Sequence, residues 1–274
     1  MSALAAGHPK PEYANKMNSP RPETLLDVNN KVVMVTGGSR GLGKAMCIAF
    51  AQRGAKVVIA SRKLEECEKL ATEIEQAGGE ALALRCHVGE WDGLEPVMNN
   101  VIEHFGRIDV LINNAGMSPV APSLLETSEA LFDKIIDVNL KGPTRLTALA
   151  ATQMAKTGGG SIINISSVAS IKPTPTTTTY SAAKAGLNAL TSASAQEYAG
   201  SGVRINCIIC GTFDTDAAAG FVRNEATLPY VIEPIALKRV GQPDEVVGTA
   251  LYFASEASSY TTGATLCVDG GIAP

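Results

Sequence analysis

The stretch Val35-TGGSRGLGKA-Met46 supports two readings, and the choice between them decides the fold. From Gly38 it spells G-x-x-x-x-G-K, the opening of a loop for ATP or GTP phosphates. From Gly37 it spells G-x-x-x-G-x-G, a loop that cradles the pyrophosphate of a dinucleotide. The first reading needs Ser or Thr after Lys44, whose hydroxyl ligates magnesium; the chain has Ala45, which carries no oxygen. The physics of the two is shared. Lys31–Val35 (KVVMV) is β-branched and apolar, as a buried strand requires. The glycines then turn the chain, and Ala45–Gly54 (AMCIAFAQRG) runs on as an apolar helix. A helix start offers backbone N–H groups and a dipole to an anion. Alone, the loop leaves a dinucleotide, another phosphate and a plain tight turn open.

A chain of 274 residues with net charge −4, 45% hydrophobic and 18% charged residues suits a soluble globular protein with one large domain. The mild acidity gives no support for a nucleic-acid surface. No apolar run approaches the roughly 20 residues that a bilayer span needs. Ala3–Ala6 is too short for a signal-peptide core, so a reducing, cytoplasmic compartment is expected. Six cysteines (47, 67, 86, 207, 210 and 267) mostly fall in apolar runs. Cys207-Ile-Ile-Cys210 is formally C-x-x-C, but it lies in a strand-like run with no second pair to complete a metal site. The cysteines therefore read as buried thiols. With only His8, His87 and His104, no histidine metal site is expected.

Residues 1–27 carry Pro9, Pro11, Pro20 and Pro22 with little apolar periodicity and read as an extended N-terminal arm, leaving 28–274 as the folded domain. From Lys31 strands and helices alternate. KVVIAS, ALALRC, IDVLINNAG, SIINIS, VRINCIIC and ATLCVDGG follow KVVMV as strands. Between them lie helical stretches; GLEPVMNNVIEHFG places Leu94, Val97, Met98, Val101, Ile102 and Phe105 at steps of three and four. Residues 128–156 read as helical with a bend at Pro143. Such units predict an α/β fold: a doubly wound parallel sheet of about seven strands, Rossmann type, with helices on both faces. Ligands then bind beyond the carboxyl ends of the strands, where the glycine loop falls. Residues 212–240 lack a periodic pattern and read as a substrate lid.

Three further stretches fall at strand ends or on adjoining helices: Asn113–Gly116 (NNAG), Asn164–Ser167 (NISS) and Tyr180-Ser-Ala-Ala-Lys184. Four residues apart on a helix, Tyr180 and Lys184 share a face. An ammonium beside a phenol brings its pKa down from about 10 toward working pH, giving a usable proton donor or acceptor. By itself Y-x-x-x-K also fits a solvated helix face. In sequence order, Gly37-x-x-x-Gly41-x-Gly43, NNAG, Asn139 in DVNLKG, Ser167 and Tyr180/Lys184 resemble the short-chain dehydrogenase/reductase family, over about residues 28–272.

The resemblance implies that the glycine loop holds a nicotinamide dinucleotide and assigns roles. Tyr180 is the general acid in reduction and the base in oxidation. Lys184 lowers its pKa and bonds the nicotinamide ribose, and Ser167 donates to the substrate oxygen. Asn139 holds a water linking Lys184 to solvent. Ser166 is the rival to Ser167, at the wrong spacing. Asn113 is structural, while Asn114, Ala115 and Gly116 line the cofactor with Gly37, Ser39, Arg40, Gly41, Leu42 and Gly43. Where NAD binding places an acid after the second strand, this chain has Ser61 and Arg62, and an arginine there meets a 2′-phosphate. NADP(H) is therefore expected, with Arg40 as a second contact. Two positions depart from the family pattern. His87-Val88 stands where Asp-Val meets adenine, and Cys210-Gly211 stands where Pro-Gly is common. Thr215 and the backbone of Phe213 face the carboxamide.

The expected activity is NADPH-dependent reduction of a ketone or aldehyde. An NAD-dependent alcohol, hydroxysteroid or 3-oxoacyl dehydrogenase is the alternative, and a non-catalytic nucleotide sensor or scaffold a remote one. Met117–Glu126 and the 212–240 segment, with Phe213, Phe221, Leu228, Tyr230 and Ile232, read either as an apolar pocket wall or as residues packing on the protein itself. Related ketoacyl reductases that act on acyl carrier protein often carry arginines where this chain has KTGGG and YAGSG. Their lack favours small ketones, aldehydes or coenzyme A esters. Small residues crowd the helix from Tyr180 (Ala182, Ala183, Ala185, Gly186, Ala189, Ala193, Ala195), and with the resemblance they predict a homotetramer, or failing that a homodimer.

Overall fold

A computed structural model describes residues 24–273. The arm expected over 1–27 therefore lies almost wholly outside the described residues. Seven strands form one parallel sheet in the order β3-β2-β1-β4-β5-β6-β7. They are β1 (Val32–Thr36), β2 (Lys56–Ser61), β3 (Glu80–Arg85), β4 (Val110–Asn113), β5 (Gly160–Ser167), β6 (Val203–Cys210) and β7 (Thr265–Val268). The long helices are α1 (Gly41–Ala51), α2 (Leu64–Gln76), α3 (Leu94–Phe105), α5 (Gly142–Lys156) and α6 (Thr178–Tyr198); α4 (Glu129–Ile136) and α9 (Val247–Ala254) are shorter.

β1 is buried along its whole length and shows why both faces need helices. Val33 and Val35 point into one core with Phe50, Ile59, Ile163, Ile208 and Phe253. Val32 and Met34 point into the other with Val58, Met98, Leu111, Leu146 and Ile205. Successive strand residues alternate sides, so an unbroken apolar run requires a cover on each face. The strand order reverses between β1 and β4, which opens the crevice at their carboxyl ends.

Three local readings change. α1 begins at Gly41 rather than Ala45, so the last part of the glycine loop is already helix. Residues 212–240, which showed no periodic pattern, carry two short helices, α7 (Ala219–Val222) and α8 (Leu228–Ile232). Between α4 and α5 the chain does not simply bend. It widens into a π-helical segment, Asp137–Lys141, which ends two residues before Pro143. Proline has no N–H for the carbonyl four residues back, so the regular ladder is interrupted there.

Candidate active site

The Gly37–Gly43 loop sits over the carboxyl end of β1. Gly37 and Gly41 adopt φ of 64° and 54°, the left-handed region that favours glycine. A Cβ on Gly43 would lie 2.3 Å from the Gly37 carbonyl oxygen, so only glycine allows this closure. Arg40, the N-cap of α1, makes no side-chain cap bond, which leaves the first-turn N–H groups without a side-chain partner there. The result is a concave, donor-lined cradle that fits a pyrophosphate.

Thr36, which the sequence reading missed, organises its rim. Its Oγ1 accepts from the N–H groups of Asn114 (3.0 Å) and Ala115 (3.1 Å) and donates to Ile112 C=O. The Asn114 amide donates to the Thr36 and Gly37 carbonyls at 2.8 and 3.3 Å, so this side chain holds the loop from beneath. Its neighbour Asn113 is buried in a network of its own: it donates to Thr147 Oγ1 and Asn164 Oδ1, and Asn164 donates to Thr191 Oγ1. That chain ties α5, β4, β5 and α6 together, the structural part expected of it.

At the end of β2 the Ser61 hydroxyl lies 3.0 Å from Ser39 Oγ and 3.0 Å from the Cys67 thiol. Cys67 carried no signal in the sequence beyond an apolar helix position. Arg40 and Arg62 are exposed on either side, and neither is paired with a carboxylate among the described residues. His87 accepts from the Gly89 N–H through Nδ1 (3.2 Å), and Val88 is buried. Leu42 packs on the core, leaving its backbone to the loop. Thr215 lies across Gly41, where a Cβ would be 3.4 Å from its methyl. Gly211 passes so near Asp269 that a Cβ would be 2.5 Å from the aspartate Cα. Phe213 is 6% exposed and joins the core, so it packs on the protein rather than walling a pocket. Phe221 and Tyr230 are exposed.

Ser167 ends β5, and Tyr180 lies in the first turn of α6 with Lys184 one turn on. A hydrogen bond from Ser167 favours the Tyr180 phenolate, but burial opposes it more strongly and holds the phenol above its ordinary pKa. The expected depression of Tyr180 by Lys184 is thus not what the structure shows. The Lys184 ammonium is buried, donates to Ile165 C=O (2.8 Å), and is itself lowered to about 8 by burial. Ser166 Oγ donates to the Lys184 carbonyl at 3.3 Å, so this hydroxyl is taken up by the backbone of α6. Asn139, fully buried in the π segment, donates to Met117 C=O and Ile135 C=O and accepts from Met117 N–H. A Cβ on Gly116 would lie 3.1 Å from Asn139 Oδ1 and 3.7 Å from Lys184 Nζ, so the space beside Gly116 borders both.

Among the described residues no helix is long and apolar enough to cross a membrane, and no group of three or more His, Cys, Asp or Glu side chains is placed to hold a metal. The cysteines are free; five are buried, and Cys267 on β7 is exposed, against the buried reading.

A family profile described as enoyl-(acyl carrier protein) reductase matches residues 37–273. The bovine dehydrogenase/reductase SDR family member 4 is 36% identical over 244 residues, covering 89% of this chain and 88% of that one. The 3-oxoacyl-[acyl-carrier-protein] reductase of Thermotoga maritima is 36% identical over 90% of this chain and 99% of its own. A solved structure assigned as an NAD(P)-dependent gluconate 5-dehydrogenase, from Beutenbergia cavernae and with NADP bound at low occupancy, superposes with a TM-score of 0.86. It is 31% identical and covers 90% of this chain and 98% of that one. A cradle shaped for a dinucleotide, on a sheet of this order and with relatives of this kind, makes the chain an NAD(P)-dependent oxidoreductase acting on CH–OH or C=O groups, a member of the short-chain dehydrogenase/reductase family.

Proposed function

We propose that this enzyme reduces a ketone or aldehyde to the alcohol with NADPH, using Tyr180 as the general acid. The observation that carries the reading is the grouping of Ser167 at the carboxyl end of β5 with Tyr180 in the first turn of α6 and the buried Lys184 one turn on. The nicotinamide, when bound, supplies the hydride that the carbonyl carbon receives. Tyr180 gives its phenolic proton to the carbonyl oxygen, and Ser167 donates a hydrogen bond to that oxygen as charge grows on it. Burial keeps the Tyr180 proton in place until then. Lys184, close to Gly116, is the donor for a ribose hydroxyl. Asn139 Oδ1 has a second lone pair for a water that returns the proton. The residues Gly37, Ser39, Arg40, Gly41, Leu42, Gly43, Ser61, Arg62, His87, Val88, Asn114, Ala115, Gly116, Gly211, Phe213 and Thr215 hold the nucleotide.

Preference for NADPH is supported by Ser61 standing where an acid would repel a 2′-phosphate, and by the exposed guanidiniums of Arg40 and Arg62. The relative from Beutenbergia cavernae carries NADP. Its Thermotoga relative keeps a 3-oxoacyl substrate as the second reading. The segment 212–240 is the substrate lid, and the enzyme is a cytoplasmic homotetramer, with a homodimer as fallback. On α6 Ala182, Ala185, Ala189 and Ala193 form an exposed stripe that permits close approach of a second copy. The test is turnover of an aromatic ketone, a keto sugar acid and a 3-oxoacyl thioester, each with NADPH and NADH. Reduction with NADPH in preference to NADH is expected. Preference for NADH moves the enzyme to the NAD-dependent alternative, and selective turnover of the 3-oxoacyl thioester moves it to the 3-oxoacyl one.

A further inference from the structure

Tyr180, Lys184 and Asn188 follow at intervals of four along α6, so one helix face carries all three. The first two serve the reaction proposed above. Asn188 does not, yet both ends of its amide are engaged. Nδ2 donates to Ser170 Oγ at 2.9 Å, and Oδ1 accepts from the Cys207 thiol at 3.5 Å. Ser170 Oγ then donates to the Ser167 carbonyl oxygen at 2.6 Å. The Ser167 hydroxyl, in its turn, accepts from Ala169 N–H.

Donors and acceptors therefore run one way, from β6 through α6 into the backbone of Ser167. The direction has a cause. Cys207 is buried and its thiol is pushed up to about 11, so it keeps its hydrogen and turns the amide oxygen toward itself. The NH2 then faces Ser170, and a hydroxyl that accepts from it sends its own hydrogen on to Ser167.

We propose that Asn188, acting through Ser170, is a positioning residue for Ser167. It fixes the single turn Val168–Ser170 against α6, and so sets the angle at which the Ser167 hydroxyl meets both Tyr180 and the substrate oxygen. The inference rests on the roles proposed for Ser167 and Tyr180. A purely packing role would not need the amide, because leucine has the same branched skeleton, though a larger volume, and no polar atoms to offer Ser170 or Cys207.

The experiment compares Asn188→Leu, Ser170→Ala and the double variant with the parent, using NADPH and the panel ketone of highest turnover. Each single change is expected to lower kcat by about 10-fold, as loss of alignment does, with KM altered less than about twofold. The double variant should be no slower than the worse single one, since both cut the same chain. In the alcohol-oxidation direction the pH profile of kcat should move to higher pH, because a loosened Ser167 no longer favours the phenolate. Ser170→Thr, which keeps the hydroxyl, should restore the parental values. Parental kcat and pH profile in Asn188→Leu overturn the proposal, as do losses that multiply in the double variant. If Asn188→Leu does not fold, Ser170→Ala and Ser170→Thr decide on the same readouts. Ser167→Ala with parental kcat would instead mean that the assignment of Ser167 itself is wrong.

Discussion

The Lys184 ammonium donates to the Ile165 carbonyl oxygen at 2.8 Å, while the centroid of the neighbouring Tyr180 ring lies 6.0 Å away. A buried cation with a neutral carbonyl for its partner is costly to the fold, which is why its pKa falls from 10.5 to about 8. The folded value lies below the unfolded one, so the cost is fully present below about pH 8 and vanishes as pH rises toward 10.5. Lys184→Met should therefore be more stable than the parent at pH 7, by up to about 3 kcal/mol less the lost hydrogen bond. The difference should shrink steadily above about pH 8 and close only above about pH 10.5, and turnover should collapse. Denaturant unfolding of both proteins across this range checks it.

Tyr180→Phe removes the proton donor and little volume. Turnover should fall by at least about 100-fold, the scale of a general-acid contribution, with NADPH affinity little changed. Steady-state kinetics and nucleotide fluorescence measure the two effects separately, and near-normal turnover would remove Tyr180 from its role.

Arg62→Ala should weaken NADPH by about 1–3 kcal/mol through loss of a charge-assisted bond, and NADH far less. Titration with both nucleotides shows it. Equal weakening would mean that Arg62 does not meet the 2′-phosphate.

Gly43→Ala places a methyl 2.3 Å from a backbone carbonyl oxygen, where no flexible side chain can give way. Dinucleotide binding should be lost or reduced at least about 10-fold, with roughly 1–3 kcal/mol of stability. Gly248→Ala, whose methyl meets nothing within 4 Å, is the control. In helix α9 it should stabilise by about 0.5–1 kcal/mol.

Light scattering at micromolar concentration should give the mass of four chains of 28.5 kDa. A fully active monomer at that concentration would exclude the assembly.

The sheet and its strand sequence were legible because each buried strand is a short β-branched run closed by a turn, and such runs are local. The glycine loop was legible for the same reason. Phe213 illustrates the limit: its chemistry suits a core or a pocket wall equally, and only its burial in the folded chain settles which. Thr36, Cys67 and Asn188 escaped because their partners lie far along the chain or on another element, as Thr36 does with Asn114 and Asn188 with Ser170. No periodicity encodes a hydrogen bond between two strands' ends. The reversed shift of Tyr180 escaped too, since burial of the phenol is set by tertiary packing.

The π-helical segment Asp137–Lys141 constrains how this chain can change length. A π turn holds one more residue than an α turn, and each residue adds about 100° of rotation. Removing one residue between Ile136 and Gly142 would let the segment relax into an unbroken α-helix. Asn139 would then swing away from Met117, and Gly142, which tolerates no Cβ against Val88 C=O, would be replaced at that contact by its neighbour. A one-residue deletion here is therefore a larger lesion than the loss of several residues from the exposed loop before α4.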